Sequence, residues 1–262
     1  MRRSVTIPDM RTFSLQSGSI GNSIYVEADG VRLLFDAGIS GRQAALRMAE
    51  HGCDIRDVDA LIISHDHNDH VRCAGIYQRK FGLPLYITRK TQAATWTRLG
   101  CLTDVRYFQS GHTLRFDGVQ VHSFPTPHDA ADGVVFVVES RGKRLGILTD
   151  LGHPFDGLCD LLRSVDGAYL ESNYDPDMLE EGPYEAGLKE RIRGPGGHLS
   201  NVEAADLIKS CRRRKPKWIA LAHLSAENNS PEVALATHRA RVGRDYRFEI
   251  AGRYGVSKVL RV

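Results

Sequence analysis

Apolar residues recur along the chain in short alternating or continuous runs, separated by glycine turns and by segments with helical spacing. Residues 12–26, "TFSLQSGSIGNSIYV", read as strand, glycine turn, strand, and residues 31–38, "VRLLFDAG", as a further strand ending in a carboxylate and a turn. Residues 40–51 place Ala44, Ala45 and Met48 on one helical face and stop at Gly52. "ALII" (60–63) is short and apolar enough to be a buried strand; residues 71–80 have helical spacing, "PLYIT" (84–88) reads as strand and residues 89–100 as helix. From residue 105 to 149 the pattern turns to strands, "VRYF", "HTLRF", "VQVHSF", "VVFVVES" and "RLGILTD", followed by "DGAYLES" (166–172). Residues 175–210 are helical with breaks at Pro183 and at 194–197; "KWIALAH" (217–223) is strand, 230–243 helix, and "RFEI" and "VSKVL" close the chain. Strands and helices thus come in two blocks, each opening with strands and moving on to helices. That order predicts two sheets face to face with helices outside, an α/β fold of four-layer αββα type, with residues 1–262 as one domain.

Composition changes this picture little. With 262 residues, 42% hydrophobic and 26% charged, the chain can bury a sizeable core. Its net charge of +3 points only weakly to an anionic partner. No run approaches the roughly 20 apolar residues needed to cross a bilayer, and the opening residues lack an apolar core and a cleavage site, so neither a membrane partner nor a signal peptide is expected. The five cysteines, at 53, 73, 101, 159 and 211, form no CxxC pair, which predicts reduced thiols and a cytoplasmic protein. The sequence assigns no oligomeric state.

The chemistry is concentrated in "SHDHNDH" (64–70), directly after the buried strand. His65 and His67 are two apart, so in extended chain they point the same way. Asp69 and His70 follow in a loop or first helical turn. Imidazole and carboxylate are the usual ligands of zinc, iron or manganese, and a cation would offset the cost of gathering ionisable groups at a core edge. A polar helix cap through Ser64 or Asp66 would not need three histidines at this spacing.

His65-x-His67-x-Asp69-His70 after an apolar strand resembles the HxHxDH signature of the metallo-β-lactamase superfamily. The resemblance implies further ligands at later strand ends. His128 in "FPTPHDA", Asp150 in "LGILTDLG" and His223 in "WIALAHLS" match them, with His153 a weaker rival. It also implies a supporting role for Asp36, outside the metal ligands. His65, His67 and His128 would take one metal, Asp69, His70 and His223 the second, and Asp150 would bridge. Two divalent metal ions are therefore expected, Zn2+ first, with Mn2+ or Fe2+ as alternatives, activating water as nucleophile. Asp66 and Asn68 are expected not to ligate; His112 and His122 read as structural, and His51 and His238 as surface residues.

Four other stretches, "SGSIGNSIYV" (17–26), "LESNYDPDML" (170–179), "GGHLSNVEAADLI" (196–208) and "LAHLSAENNSPEVA" (221–234), are similar to those of the YycJ/WalJ-type exonucleases, a phosphodiesterase branch of the superfamily. Tyr174 stands where that family more often has histidine. The resemblance implies 5′-to-3′ exonuclease action on DNA, a DNA repair setting, and nucleic acid as partner, DNA ahead of RNA. Read residue by residue, Ser19 and Asn22 lie in a glycine-rich turn whose amides suit phosphate. Ser200 and Asn201 open a helix behind His198, a candidate general acid acting with Asp69 at the metals; a capped helix after a flexible loop is the other reading of this stretch. Asn173, Ser225, Asn228 and Asn229 are further candidates for substrate contact, with capping of the helix that starts near Pro231 as the other reading of the last three. The basic run "CRRRKPK" (211–217) reads first as a solvated helix end, and Arg72, Arg79, Lys80, Arg89 and Lys90 as equally plausible backbone contacts. Two other readings stand beside this one: a small-molecule hydrolase on the same site (thioesterase, lactonase or cyclic-phosphate diesterase), and a non-catalytic nucleic-acid-binding protein stabilised by its metals.

Overall fold

Alternating runs become paired strands, and the helical runs between them fold back over the outer faces. The computed structural model describes residues 10–211, 216–244 and 246–262. The expected absence of a signal peptide concerns chiefly residues 1–9, and the reading of the basic run concerns residues 212–215; both stretches lie outside the described residues. In chain order the elements are β1 (Arg11–Gln16), β2 (Ser23–Ala28), β3 (Val31–Phe35), α1 (Gly41–Ala49), β4 (Ala60–Ile62), α2 (Asn68–Val71), α3 (Ala74–Phe81), β5 (Leu85–Thr88), α4 (Arg89–Leu99) and β6 (Val105–Phe108). The second block holds β7 (Thr113–Phe116), β8 (Val119–Pro125), β9 (Val134–Ser140), β10 (Lys143–Leu148), α5 (Leu158–Ser164), β11 (Gly167–Glu171), α6 (Pro176–Glu181), α7 (Ala186–Arg193), α8 (Asn201–Ser210), β12 (Trp218–Ala222), α9 (Pro231–Val242) and β13 (Phe248–Ile250). A last short strand, β14 (Leu260–Arg261), returns to the first sheet. Among the described residues the strands form two sheets, ordered β14-β1-β2-β3-β4-β5-β6 and β13-β12-β11-β10-β9-β8-β7.

The apolar side chains sort into three layers, as an αββα sandwich requires. Between the sheets lie Val26, Leu33, Phe35, Phe136, Val138, Tyr169 and Trp218, with the rings of Phe35 and Phe136 5.1 Å apart. Met48, Tyr77 and Phe81 pack α1 and α3 on the outer face of the first sheet. Leu162, Leu207, Ile208 and Ala234 do the same for α5, α8 and α9 on the second. Among the described residues no helix is long and apolar enough to cross a membrane.

Several expectations are corrected. The helix expected over 71–80 is split in two: α2, four residues long, holds Asn68, Asp69 and His70, and the longer α3 runs over Ala74–Phe81. Helix α5 was not foreseen, because its seven residues show only two fully buried apolar positions. The closing strand expected at "VSKVL" shrinks to Leu260–Arg261, held by β1. His238 is fully buried: its Nδ1 bonds the Ala234 carbonyl at 2.8 Å, its ring meets Phe248, and burial pushes its pKa down to about 4. His51 is half-buried, packed edge-on against Phe13 with Nε2 2.7 Å from the Ser257 carbonyl. Cys159 and Cys211 form a disulfide between α5 and the end of α8, with Cα atoms 5.6 Å apart across 52 residues of sequence, a proximity no local spacing reveals. Cys53, Cys73 and Cys101 are free thiols.

One close approach fixes the histidine loop to the first sheet. Asn22 donates its backbone N–H to the Asp69 carbonyl at 2.7 Å, Gly38 donates to Asn22 at 2.9 Å, and Ala37 donates to the His70 carbonyl at 2.7 Å. A Cβ on Gly38 would lie 1.6 Å from the Asp69 carbonyl oxygen. Only glycine lets the two backbones meet. Gly38→Ala should therefore displace the loop and cost about 3 kcal/mol, seen as a fall of roughly 6–12 °C in Tm. Calorimetry on the purified variant checks this; an unchanged Tm would contradict the close approach.

Candidate metal centre

The ionisable residues converge because strands of both sheets end on one edge. β3 and β4 are parallel, as are β10, β11 and β12, while β8 runs antiparallel to β9 and β9 to β10. The carboxyl end of β3 delivers Asp36, β4 the 64–70 loop, β8 His128, β10 Asp150, β11 Glu171 and β12 His223. Asp36, Asp150 and His223 all turn with positive φ, at 64°, 59° and 55°. That left-handed region is unfavourable for non-glycine residues, though Asp and His enter it more readily than most. The strand ends spend backbone energy to aim these side chains inward.

The first group is His65, His67 and His128, whose candidate ligand atoms lie within 4.8 Å of one another. His128 donates from Nδ1 to the Gly197 carbonyl at 2.8 Å, which leaves the lone pair on Nε2. His67 donates from Nε2 to the Asp129 carbonyl at 3.2 Å, which leaves the lone pair on Nδ1. The two free nitrogens face each other at 3.1 Å. Lone pairs at that separation repel unless a proton or a cation lies with them. His65 Nδ1 is 2.9 Å from the Ser64 hydroxyl, and its buried Nε2 has no hydrogen-bond partner among the described residues.

The second group is Asp69, His70 and His223. Asp36 accepts from the Ser64 amide at 2.8 Å and its hydroxyl at 2.9 Å, and from His70 Nδ1 at 2.7 Å, so His70 presents Nε2 inward. That nitrogen is 3.4 Å from His223 Nε2, and His223 Nε2 is 3.2 Å from Asp69 Oδ2. Asp150 lies between the groups. Its Oδ1 is 3.4 Å from His223 and 3.7 Å from His128, and its Oδ2 is 3.3 Å from His70. Oδ2 is buried without a hydrogen bond among the described residues. Buried, partnerless nitrogen and oxygen lone pairs aimed at common points are the donor set of a divalent cation.

The protonation pattern agrees. Burial, and then His70 beside it, push His65 well below the usual imidazole range; burial also lowers His128. Burial opposes a charge on His70, but Asp150, Asp69 and Asp36 hold its imidazolium well above that range. His223 is likewise pushed up to about 9, against its burial, chiefly by Asp150 and Asp69. Asp150 and Asp69 stay ionised despite burial because the imidazoles surround them. Without a cation the site holds protons in its place.

The expected caps and non-ligands have other tasks. Ser64 serves Asp36 and His65, Asp66 accepts from the Ala131 amide at 2.8 Å, and Asn68 accepts from Arg98 at 2.6 Å. His67 occupies the cap position of α2 without a side-chain cap bond, so its ring is free to turn inward. His153 lies off the cluster, bonded to the Pro195 carbonyl at 2.6 Å. A cleft of about 360 Å³ opens over the cluster, lined by Ser19, His67, Asp69, Asp150, His198 and His223 among others, with Arg98 and Arg191 at its walls.

Of the residues expected to meet substrate, Ser19 and His198 line this cleft. Asn22 is buried behind the metal groups, its Nδ2 3.1 Å from Asp69 Oδ2 and 2.9 Å from His70 Nε2. Asn173 lies against His223, 2.9 Å from Nδ1 and 2.8 Å from the carbonyl. Ser200 is spent on the capping box of α8 with Glu203, and Ser225 accepts from the Asn228 amide at 3.1 Å. Asn201, Asn228 and Asn229 are buried, and Asn229 bonds the Ser172 and Asn173 carbonyls and Asn201. The structure thus does not bring these three asparagines to the cleft. Tyr174 is buried as well, with burial pushing its pKa to about 12. Arg79 donates to the Leu99 and Cys101 carbonyls at the end of α4, and Arg72 to the Ile20 carbonyl.

Sequence reasoning missed Glu171. It is fully buried and accepts from the amides of Asp150 at 3.3 Å, Leu151 at 3.0 Å and Leu199 at 3.1 Å, and from His198 Nδ1 at 2.8 Å. Despite burial it stays ionised, held down chiefly by His198. Asp129 was missed too; it pairs with Arg191 at 2.6 Å and reaches within 3.5 Å of His67. An acid ending an apolar strand, in "YLES", is the signal that Glu171 offered.

The profile of the Metallo-beta-lactamase superfamily matches residues 17–223. The chain is 35% identical to exodeoxyribonuclease YycJ of Bacillus anthracis over 84% of each chain. It is 36% identical to exodeoxyribonuclease WalJ of Streptococcus pneumoniae, over 85% of this chain and 84% of that one. Among solved structures, the metallo-beta-lactamase fold protein YhfI of Bacillus subtilis superposes with a TM-score of 0.74 at 17% identity, covering 97% of this chain and all of that one (100%).

Asp36 fixes which nitrogen of His70 faces inward, so Asp36→Asn should weaken metal binding about 10–100-fold while leaving the chain folded. Competition with a chromophoric chelator measures it. An unchanged affinity would mean that Asp36 does not orient the ligand.

Proposed function

This chain belongs to the metallo-beta-lactamase superfamily and is a metal-dependent hydrolase, and from that premise we propose that it is a dinuclear nuclease that removes nucleotides from the 5′ end of DNA. The observation that carries the two-cation part is the buried Asp150 carboxylate, one oxygen toward His128 and His223 and the other toward His70. The names of the two bacterial relatives support the nucleic-acid part. On this reading His65, His67 and His128 hold one cation, Asp69, His70 and His223 the other, and Asp150 both. When bound, Zn2+, Mn2+ or Fe2+ would supply the Lewis acidity that activates water and offsets charge on the phosphoryl oxygens. DNA repair in the cytoplasm is the setting we assign to this activity.

The chain's own groups do the rest. Arg98 and Ser19 at the cleft wall face the strand. Glu171 accepts from His198 Nδ1 and fixes the ring, so that the other ring nitrogen, when it carries a proton, can hand it to the departing oxygen. Asn173 and Asn22 hold His223 and Asp69 in place.

The test is a turnover panel on metal-loaded protein: 5′-phosphorylated duplex DNA, single-stranded DNA, RNA, a cyclic nucleotide and a thioester. DNA should be degraded to mononucleotides from its 5′ end; turnover of the thioester with none of DNA would overturn the reading. His198→Ala should lower kcat on DNA about 10²–10⁴-fold, and far less on a p-nitrophenyl phosphodiester whose leaving group needs no proton. Equal losses on both substrates would assign His198 a structural role instead.

A further inference from the structure

A second cavity, of about 750 Å³, lies outside the metal cleft and is lined by Arg89, Lys90, Tyr107, Ser110, His112 and Asp132 among others. It sits where the edge strands β6 and β7 of the two sheets part, at the amino end of α4. Two elements join it to the metal centre. The loop after His128 contributes Asp129 to the metal cleft and Asp132 to this cavity. Helix α4 contributes Arg98 to the cleft and Arg89 and Lys90 to the cavity. Nine helical steps lead from Arg89 to Arg98, about 14 Å along the axis. That is the rise of roughly four stacked nucleotides.

The chemistry of the cavity suits a strand of nucleic acid. Arg89 and Lys90 are exposed, and among the described residues neither makes an ion pair with a carboxylate. Arg89 lies over the Tyr107 ring, its guanidinium carbon 4.1 Å from the centroid, and Tyr107 is itself held by a 2.6 Å bond from its hydroxyl to Gln92. The guanidinium is therefore already ordered, which lowers the entropy lost on binding. The Ser110 hydroxyl in the same wall has no hydrogen-bond partner among the described residues. Asp132 is the lone carboxylate of the lining, so the wall carries one positive charge in excess from Arg89, Lys90 and Asp132.

We propose that this cavity is a distal subsite for the substrate strand, in which Arg89 and Lys90 hold backbone phosphates about four nucleotides from the cleavage site. This rests on the nuclease reading above. Arg89 and Lys90 are positioning residues: they touch the strand away from the reacting phosphate. A strand too short to span the 14 Å or so along α4 gains nothing from them.

The experiment compares the native chain with the double variant R89A/K90A, both metal-loaded, on bis(p-nitrophenyl) phosphate, a dinucleotide and a long single strand of DNA. The variant should show an approximately tenfold higher KM on the long strand, with kcat unchanged and the two short substrates unaffected. Its dependence of log(kcat/KM) on log salt should be shallower by about 1.4, for two phosphate contacts on a single strand. No change at any length, or equal losses at every length, would overturn the subsite while leaving the nuclease reading intact. If the native chain turns over bis(p-nitrophenyl) phosphate and no nucleic acid of any length, the nuclease reading fails and the subsite with it.

Discussion

Two imidazole lone pairs facing each other at 3.1 Å, with a buried carboxylate behind them, are the constraint around which this molecule is built. His67 and His128 have each given their proton to a backbone carbonyl, so neither can relieve the other. The Nε2 atoms of His70 and His223 also meet, at 3.4 Å, with the carboxylates of Asp150 and Asp69 beside them. Without cations the centre holds protons: Asp150 and Asp69 keep both His70 and His223 basic against their burial. Cations would give these groups partners. The cluster is unfavourable by itself and becomes favourable through what it binds.

The fold supplies what such a cluster needs, which is rigidity. Six strand ends meet on one edge, three of them in left-handed turns that only the surrounding structure can hold. Asp36 and Glu171 play matching parts on the two sheets. Each ends a strand, accepts several hydrogen bonds, and fixes one ring: His70 in the first case, His198 in the second. Glycine at position 38 lets the histidine loop lie directly on the backbone of the first sheet. The capping boxes of α1 and α8 show the same economy, since the second of them also sets the chain just after His198.

What could be read from the sequence was local. The 65–70 motif is visible because its spacing is set by a strand end and one helical turn, and the αββα order because strand and helix periods differ. Asp150 and His223 stand out as ionisable residues closing apolar runs. Glu171 closes such a run too, but what distinguishes it is four donors gathered from residues 150, 151, 198 and 199, a three-dimensional fact. The polar character of Asn201, Asn228 and Asn229 is compatible with contact with substrate, yet all three are buried, and Asn201 and Asn229 bond each other across the starts of α8 and α9. Polarity alone cannot separate a group that binds a ligand from one that ties two loops together. The Cys159–Cys211 pairing is likewise a product of helix packing that spacing cannot show.

On the reading proposed above, the centre holds two cations with Asp150 between them. Anomalous diffraction at the zinc edge, from crystals of the zinc-loaded protein, addresses it directly. Two peaks are expected roughly 3.5–4 Å apart, one against His65, His67 and His128 and the other against Asp69, His70 and His223, with Asp150 reaching both. A single peak at full zinc loading, or two peaks with Asp150 turned away from either, would contradict it.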